Sequence, residues 1–189
     1  MDPDRETNPQ HRHPKVAVDI MSTEGRALFE GSCGEIVEPG DDGVEYDPSS
    51  SFDCALDLSQ GTPRFYIMRL EDRGMGFDRI THHAQVTQCL SLMSPRHLDY
   101  WYLGVAAPTL DSDRGPDLHE DVHVFRIPFG VIVKLNKGTW HAGPLWRNPD
   151  PDGVAVDQAS FFNLELSDTN VRDHTTHVFV DTRCEIIDT

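Results

Sequence analysis

Apolar and polar positions alternate with a period of two along much of this chain, which predicts strands rather than helices. In Gly130–Leu135, Val131, Val133 and Leu135 share one face, while Ile132, Lys134 and, just beyond, Asn136 share the other. Arg64–Leu70 sets Phe65, Ile67 and Arg69 against Tyr66, Met68 and Leu70; with both faces largely apolar, it predicts a buried strand. Val86–Leu92, Tyr100–Ala106, Val122–Ile127, Ser160–Leu166 and Thr176–Val180 read as further short strands. In Ser160–Leu166, Phe162, Leu164 and Leu166 oppose Phe161, Asn163 and Glu165. Lys137-Gly138 turns the chain, and Thr139-Trp140-His141 begins another strand with Thr139 and His141 pointing the same way. Helical periodicity is scarce. Ser22–Gly31 predicts one short helix closed near Gly34, and Glu35-Ile36-Val37 resumes as a strand.

Turn signals separate these segments. Residues 39–53 carry two prolines and two glycines, Asp111–Asp121 is an acidic loop, and Arg147–Gly153 is a turn-rich insertion. Short strands with punctuation between them predict a mainly β sandwich or barrel. Residues 1–14 have almost nothing to bury and predict a disordered tail, leaving residues 15–189 as a single domain.

Charge narrows the partners. Thirty-two acidic against sixteen basic side chains give a formal net charge of −16 over 189 residues. Such a chain repels phosphate backbones and anionic lipid, so neither nucleic acid nor membrane is expected, and a small anionic substrate would need a local positive patch. Cys33, Cys54, Cys89 and Cys184 are widely spaced, with no C-x-x-C pair, and predict reduced thiols. No signal-like apolar run begins the chain, so the expectation is a soluble cytoplasmic protein.

Candidate chemistry is concentrated in a few side chains. Glu165 sits in an apolar strand, where an isolated carboxylate is costly, so it must be paired, hydrogen-bonded or functional. His82, His141 and Glu165 could supply three metal donors for a divalent ion, with Gln88 a weak neutral fourth, but a metal-free pocket using the same polar groups for hydrogen bonding is the preferred reading, so no cofactor is certain. His82 and His83 fall on opposite faces of an extended segment. His174 and His177 do the same, which favours a structural role for that H-x-x-H spacing. His119, Asp121 and His123 read as a solvated edge. There is no nucleophile elbow and no phosphate-cradling glycine loop.

A strand, a glycine turn and an immediate Trp140-His141 pair resemble the second half of a cupin motif, whose histidine faces the inside of a small β-barrel. Gly76, five residues and His82, with Gln88 at a glutamate position, resemble part of its first half. Taken with Ala27–Val37, the segment His83–Gln88, the strand Leu103–Pro108 and Lys137-Gly-Thr-Trp-His141 followed by Pro144-Leu145, the chain resembles a divergent branch of the ureidoglycolate lyase (ureidoglycolate hydrolase) family of allantoin and purine catabolism. Leu135-Asn136 stands where that family has Tyr-His, and Gly143 is an extra residue before the proline.

The resemblance implies a cupin-like (RmlC-like) double-stranded β-helix barrel with a short N-terminal helix, a homodimer, and cleavage of ureidoglycolate to glyoxylate and urea. It implies His141 or Glu165 as base and His83 as proton donor. Gln88 would hold the ureido group, with Lys134 or Lys137 and Arg69 clamping the carboxylate. Two other readings stay open: a non-catalytic cupin binding a small ligand, and a metal-dependent cupin enzyme, with His82 and His141 as ligands, acting on another small hydroxy acid.

Overall fold

The computed structural model describes residues 11–38, 54–93, 98–109 and 114–189. In chain order its elements are β1 (His11–Val16), β2 (Val18–Asp19), α1 (Thr23–Glu30), β3 (Gly34–Val37), β4 (Pro63–Glu71), β5 (Gly76–Phe77), β6 (Arg79–His82) and β7 (Gln88–Leu92). Then follow β8 (Tyr100–Ala106), β9 (His123–Pro128), β10 (Ile132–Leu135), β11 (Trp140–Leu145), β12 (Gln158–Leu166), α2 (Thr169–Arg172), β13 (Thr175–Val178) and β14 (Thr182–Ile187). The protein is mainly β, as the period-two pattern predicts.

Three sheets result, in the orders β3-β10-β7-β12-β4, β13-β6-β11-β8-β9-β2 and β1-β14-β5. Between the two larger ones runs a folded-back ribbon: β8 pairs with β9, β7 with β10 and β6 with β11, all antiparallel. β12 then returns between β7 and β4. A ribbon doubled back and divided between two sheets is the jelly-roll order of cupins, so the fold is cupin-like on its own strand order.

Two apolar cores hold it together. The first lies between the large sheets, joining Leu90, Val133, Leu135 and Phe161 of one to Trp101, Leu103, Val105, Phe125 and Ile127 of the other. The second covers the outer face of the six-stranded sheet, where Ile80, Trp140, Tyr102 and Val124 meet Cys184 and Ile186 of β14. Helix α1 forms because Ser22 Oγ accepts the Gly25 N–H at 2.9 Å and Phe29 anchors it edge-on against Phe125. β11 carries a bulge beyond His141, its register against β8 shifting between Ala142 and Leu145.

Several expectations are corrected. Residues 11–14, read as tail, belong to β1 and pair in parallel with β14; residues 1–10 and the loop at 39–53 lie outside the described residues. β4 is not buried on both faces, since it edges its sheet and leaves Phe65 and Ile67 68% and 54% exposed. No described helix is long and apolar enough to cross a membrane.

Candidate functional site

Strand parity decides which side chains meet. β7, β12 and β4 turn Gln88, Asn163, Glu165 and Tyr66 inward, and β11 turns His141 inward beside Thr81 of β6. His83, one residue past β6, joins them. These residues line a cavity of about 490 Å³ between the two large sheets, completed by His174 and Asn170 from the α2 segment. Four residues expected from the sequence, His141, His83, Glu165 and Gln88, therefore share one cavity although 82 positions separate the first and last of them along the chain (165 − 83).

Glu165 is fully buried, and three donors hold its carboxylate. Tyr66 Oη–H donates to Oε1 at 2.9 Å, Gln88 Nε2–H to Oε2 at 2.9 Å, and Asn170 Nδ2–H to Oε1 at 3.3 Å. Asn163 Nδ2–H in turn donates to Tyr66 Oη at 2.9 Å. Burial, and then the adjoining Glu165 carboxylate, push the Tyr66 hydroxyl above its ordinary pKa.

The histidines are held in defined tautomers. His83 Nδ1 meets the backbone carbonyl of Asp173, and His141 Nδ1 lies 3.3 Å from that of Thr139. A carbonyl only accepts, so each Nδ1 carries the proton and each Nε2 the lone pair. Asp173 also receives the N–H groups of Ala84 and Gln85 on its carboxylate, at 2.7 and 2.8 Å, and so fixes the turn bearing His83. The rings of His83 and His141 are 5.2 Å apart, and those of His83 and His174 5.5 Å. Burial lowers the His83 pKa; it lowers that of His141 further, to about 3, with the His83 ring adding to the effect.

The other expected residues lie elsewhere. Lys134 points to the outer face of its sheet and pairs with Glu35 on β3. Lys137 pairs with Asp57, and Arg69 bonds Gln158 and Glu71. None of these three lines the cavity, which instead has Arg73, Arg79 and Arg183 in its wall. His82 is on the opposite face of the sheet from His141, packed 4.2 Å from the Trp140 ring, so the two cannot share a metal ion. Among the described residues no group of three or more His, Cys, Asp or Glu side chains is arranged to hold a metal. Tyr66, Asn163, Asn170 and His174 are cavity residues the sequence reading did not select. Asn163 was within reach, because alternation already set it on the Glu165 face.

No protein-family model matches the chain. No curated protein matches it either. Among solved structures it is similar to the crystal structure of vicilin from Corylus avellana (hazelnut), with a TM-score of 0.35 and 9% sequence identity over 65% of this chain. The match spans 32% of that vicilin, about a third of its length. The cupin-like assignment rests on strand order and not on this likeness.

Proposed function

We propose that the protein is a ureidoglycolate lyase-like enzyme acting on a small anionic 2-hydroxy acid. The observation that carries the reading is the meeting of His83 and His141, ring centroids 5.2 Å apart, in a cavity anchored by buried Glu165. Each histidine is neutral, with a lone pair left on Nε2, the state a general base requires. In the reaction a base takes the hydroxyl proton, the C–O bond becomes a carbonyl, the C–N bond breaks, and the nitrogen receives a proton. Glyoxylate and urea leave with no net change of oxidation state.

We assign the base to His141 because Glu165 is already engaged by three donors; burial weakens that imidazole as a base, so the proton it takes must pass on to His83 at once. His83 starts with a lone pair on Nε2, so it donates only a proton it has first received; the proton passes from the hydroxyl through the imidazole pair to the nitrogen. Arg73 and Arg183 would take the place of the lysines and Arg69 as the positive charge facing the substrate carboxylate, Arg79 being paired with Asp78. The same reading carries the expectation of a homodimer, which a light-scattering mass of two copies would support and a monomer mass would remove.

Incubation with ureidoglycolate tests the reaction. Urea and glyoxylate in equal amounts, without ammonia, support a lyase; ammonia release points to an amidohydrolase; no product removes catalysis on this substrate. Ligand binding without turnover is the second reading, favoured by the saturated state of Glu165. A ligand-induced rise in melting temperature with no product would support it.

A further inference from the structure

Strand alternation in β7 turns Gln88 and Leu90 toward the space between the large sheets and sends Cys89 to the outer face, opposite Lys134 of β10. A strap leading from Cys54 into β4 lies against this same end of β7. The Thr87 N–H donates to the Asp57 carbonyl at 3.3 Å, and the Asp57 N–H donates to Thr87 Oγ1 at 2.9 Å. Lys137, in the turn after β10, pairs with the Asp57 carboxylate and pins the strap from a second side.

Cys54 stands three positions before Asp57, and Cys89 two positions after Thr87. The two segments run past each other in opposite senses from the Asp57–Thr87 bonds, which brings these cysteines level, and their thiols are in hydrogen-bond contact. Both are reduced and half-buried. Cys33 and Cys184 are instead buried in the two separate apolar cores.

We propose that Cys54 and Cys89 form a reversible oxidation site, which closes as a disulfide clasp tying the strap to β7. The co-reactant is a low-molecular-weight disulfide, of which oxidised glutathione is the probe used below. The Cys54 thiolate attacks one sulfur of that disulfide, and the glutathione thiolate that leaves takes up the proton Cys54 gave up. Cys89 then gives up its proton, attacks Cys54 Sγ and expels the second glutathione, which is protonated in turn. Two cysteine thiols are oxidised, one small disulfide is reduced to two thiols, and the electrons balance.

The surroundings set this order. Burial, and then the neighbouring Cys54, push the Cys89 thiol up to about 12, so Cys54 is the first nucleophile. Once Cys54 carries glutathione it no longer opposes ionisation of Cys89, while the Lys134 ammonium favours the thiolate against the opposing pull of Glu35. The pair lies on the face of β7 away from the cavity, so the site stands whether or not the cavity is catalytic.

The folded full-length protein, incubated with oxidised glutathione, quenched in acid, alkylated and mapped by peptide mass spectrometry, provides the test. Two of its four thiols should be lost, one cross-linked peptide pair should join Cys54 to Cys89, and dithiothreitol should restore all four. Cys89→Ser should stop at a glutathione adduct on Cys54, and Cys54→Ser should form no cross-link. The oxidised wild type should melt about 5 °C higher or more, because the new bond closes a loop of 35 positions (89 − 54). A cooperative melt shows whether each variant has folded; where one has not, the wild-type map decides. Four thiols retained, a wild type arrested at the single adduct, a bond between other cysteines or between two chains, or a closed bond that leaves the melting temperature unchanged or lowered would overturn the proposal.

Discussion

His141 stays neutral in the folded protein down to a pH of about 3, whereas an unfolded histidine takes up a proton near 6.5. Between those values the unfolded chain binds more protons, so stability falls as pH drops through the window, and the loss is complete below about 3. His82 and His83, also lowered by burial, act in the same direction. Melting temperature followed by circular dichroism should decline from pH 6.5 downward, and His141→Gln should shallow that decline; identical slopes would show that His141 is not a source of it. His141→Ala should lower kcat about a hundredfold to ten-thousandfold while the protein still melts cooperatively. Glu165→Gln sets an amide where three donors converge, and should lose about 1–3 kcal/mol in urea unfolding. Lys134→Met should leave turnover unchanged, since that ammonium meets Glu35 outside the cavity; a large drop in activity would restore it to the site.

The elements show why part of this was legible. Period-two alternation set His83 apart from His82 and put Asn163 beside Glu165, and the coordinates keep both relations. It also set Lys134 opposite Val133 and Leu135, and Arg69 opposite Tyr66 and Met68. Parity turns Lys134 and Arg69 to the outer face of their sheet, and Lys137, in the turn after β10, pairs with Asp57, so none of the three lines the cavity. β1 escaped notice for another reason: its side chains are largely exposed, so main-chain bonding to β14 makes it a strand and leaves no apolar stripe to read. α2 is four residues long, too short for a periodic signal, so Asn170 and His174 could not be placed near the cavity in advance. The Gly25 position in α1 gives an element-scale test. Alanine there would ordinarily favour a helix, but its Cβ would come 2.1 Å from the Asp19 carbonyl oxygen. Gly25→Ala should therefore destabilise by about 1–3 kcal/mol in chemical denaturation, and a gain in stability would mean the β2–α1 junction yields easily.

At the scale of the molecule, the jelly-roll ribbon explains how a site arises from segments distant in sequence. Folding β6–β8 back on β9–β11 sets Thr81 across from His141, and returning β12 beside β7 brings Glu165 to Gln88. In a chain of net charge −16, Arg73, Arg79 and Arg183 stand in the cavity wall beside Asp72, Asp78 and Glu165, and Arg79 is paired with Asp78 at 2.9 Å.

The parallel pairing of His11–Val16 with Thr182–Ile187 ties together stretches 171 positions apart (182 − 11), and Lys15 ties β1 also to the turn before β9 by donating to the carbonyls of His119 and Val122. During synthesis, β1 emerges well before its mate β14 and must wait for it. Until β14 has emerged, the apolar surface around Ile80 and Trp140 lacks Cys184 and Ile186 as its cover, which leaves the nascent chain open there to chaperones and proteases.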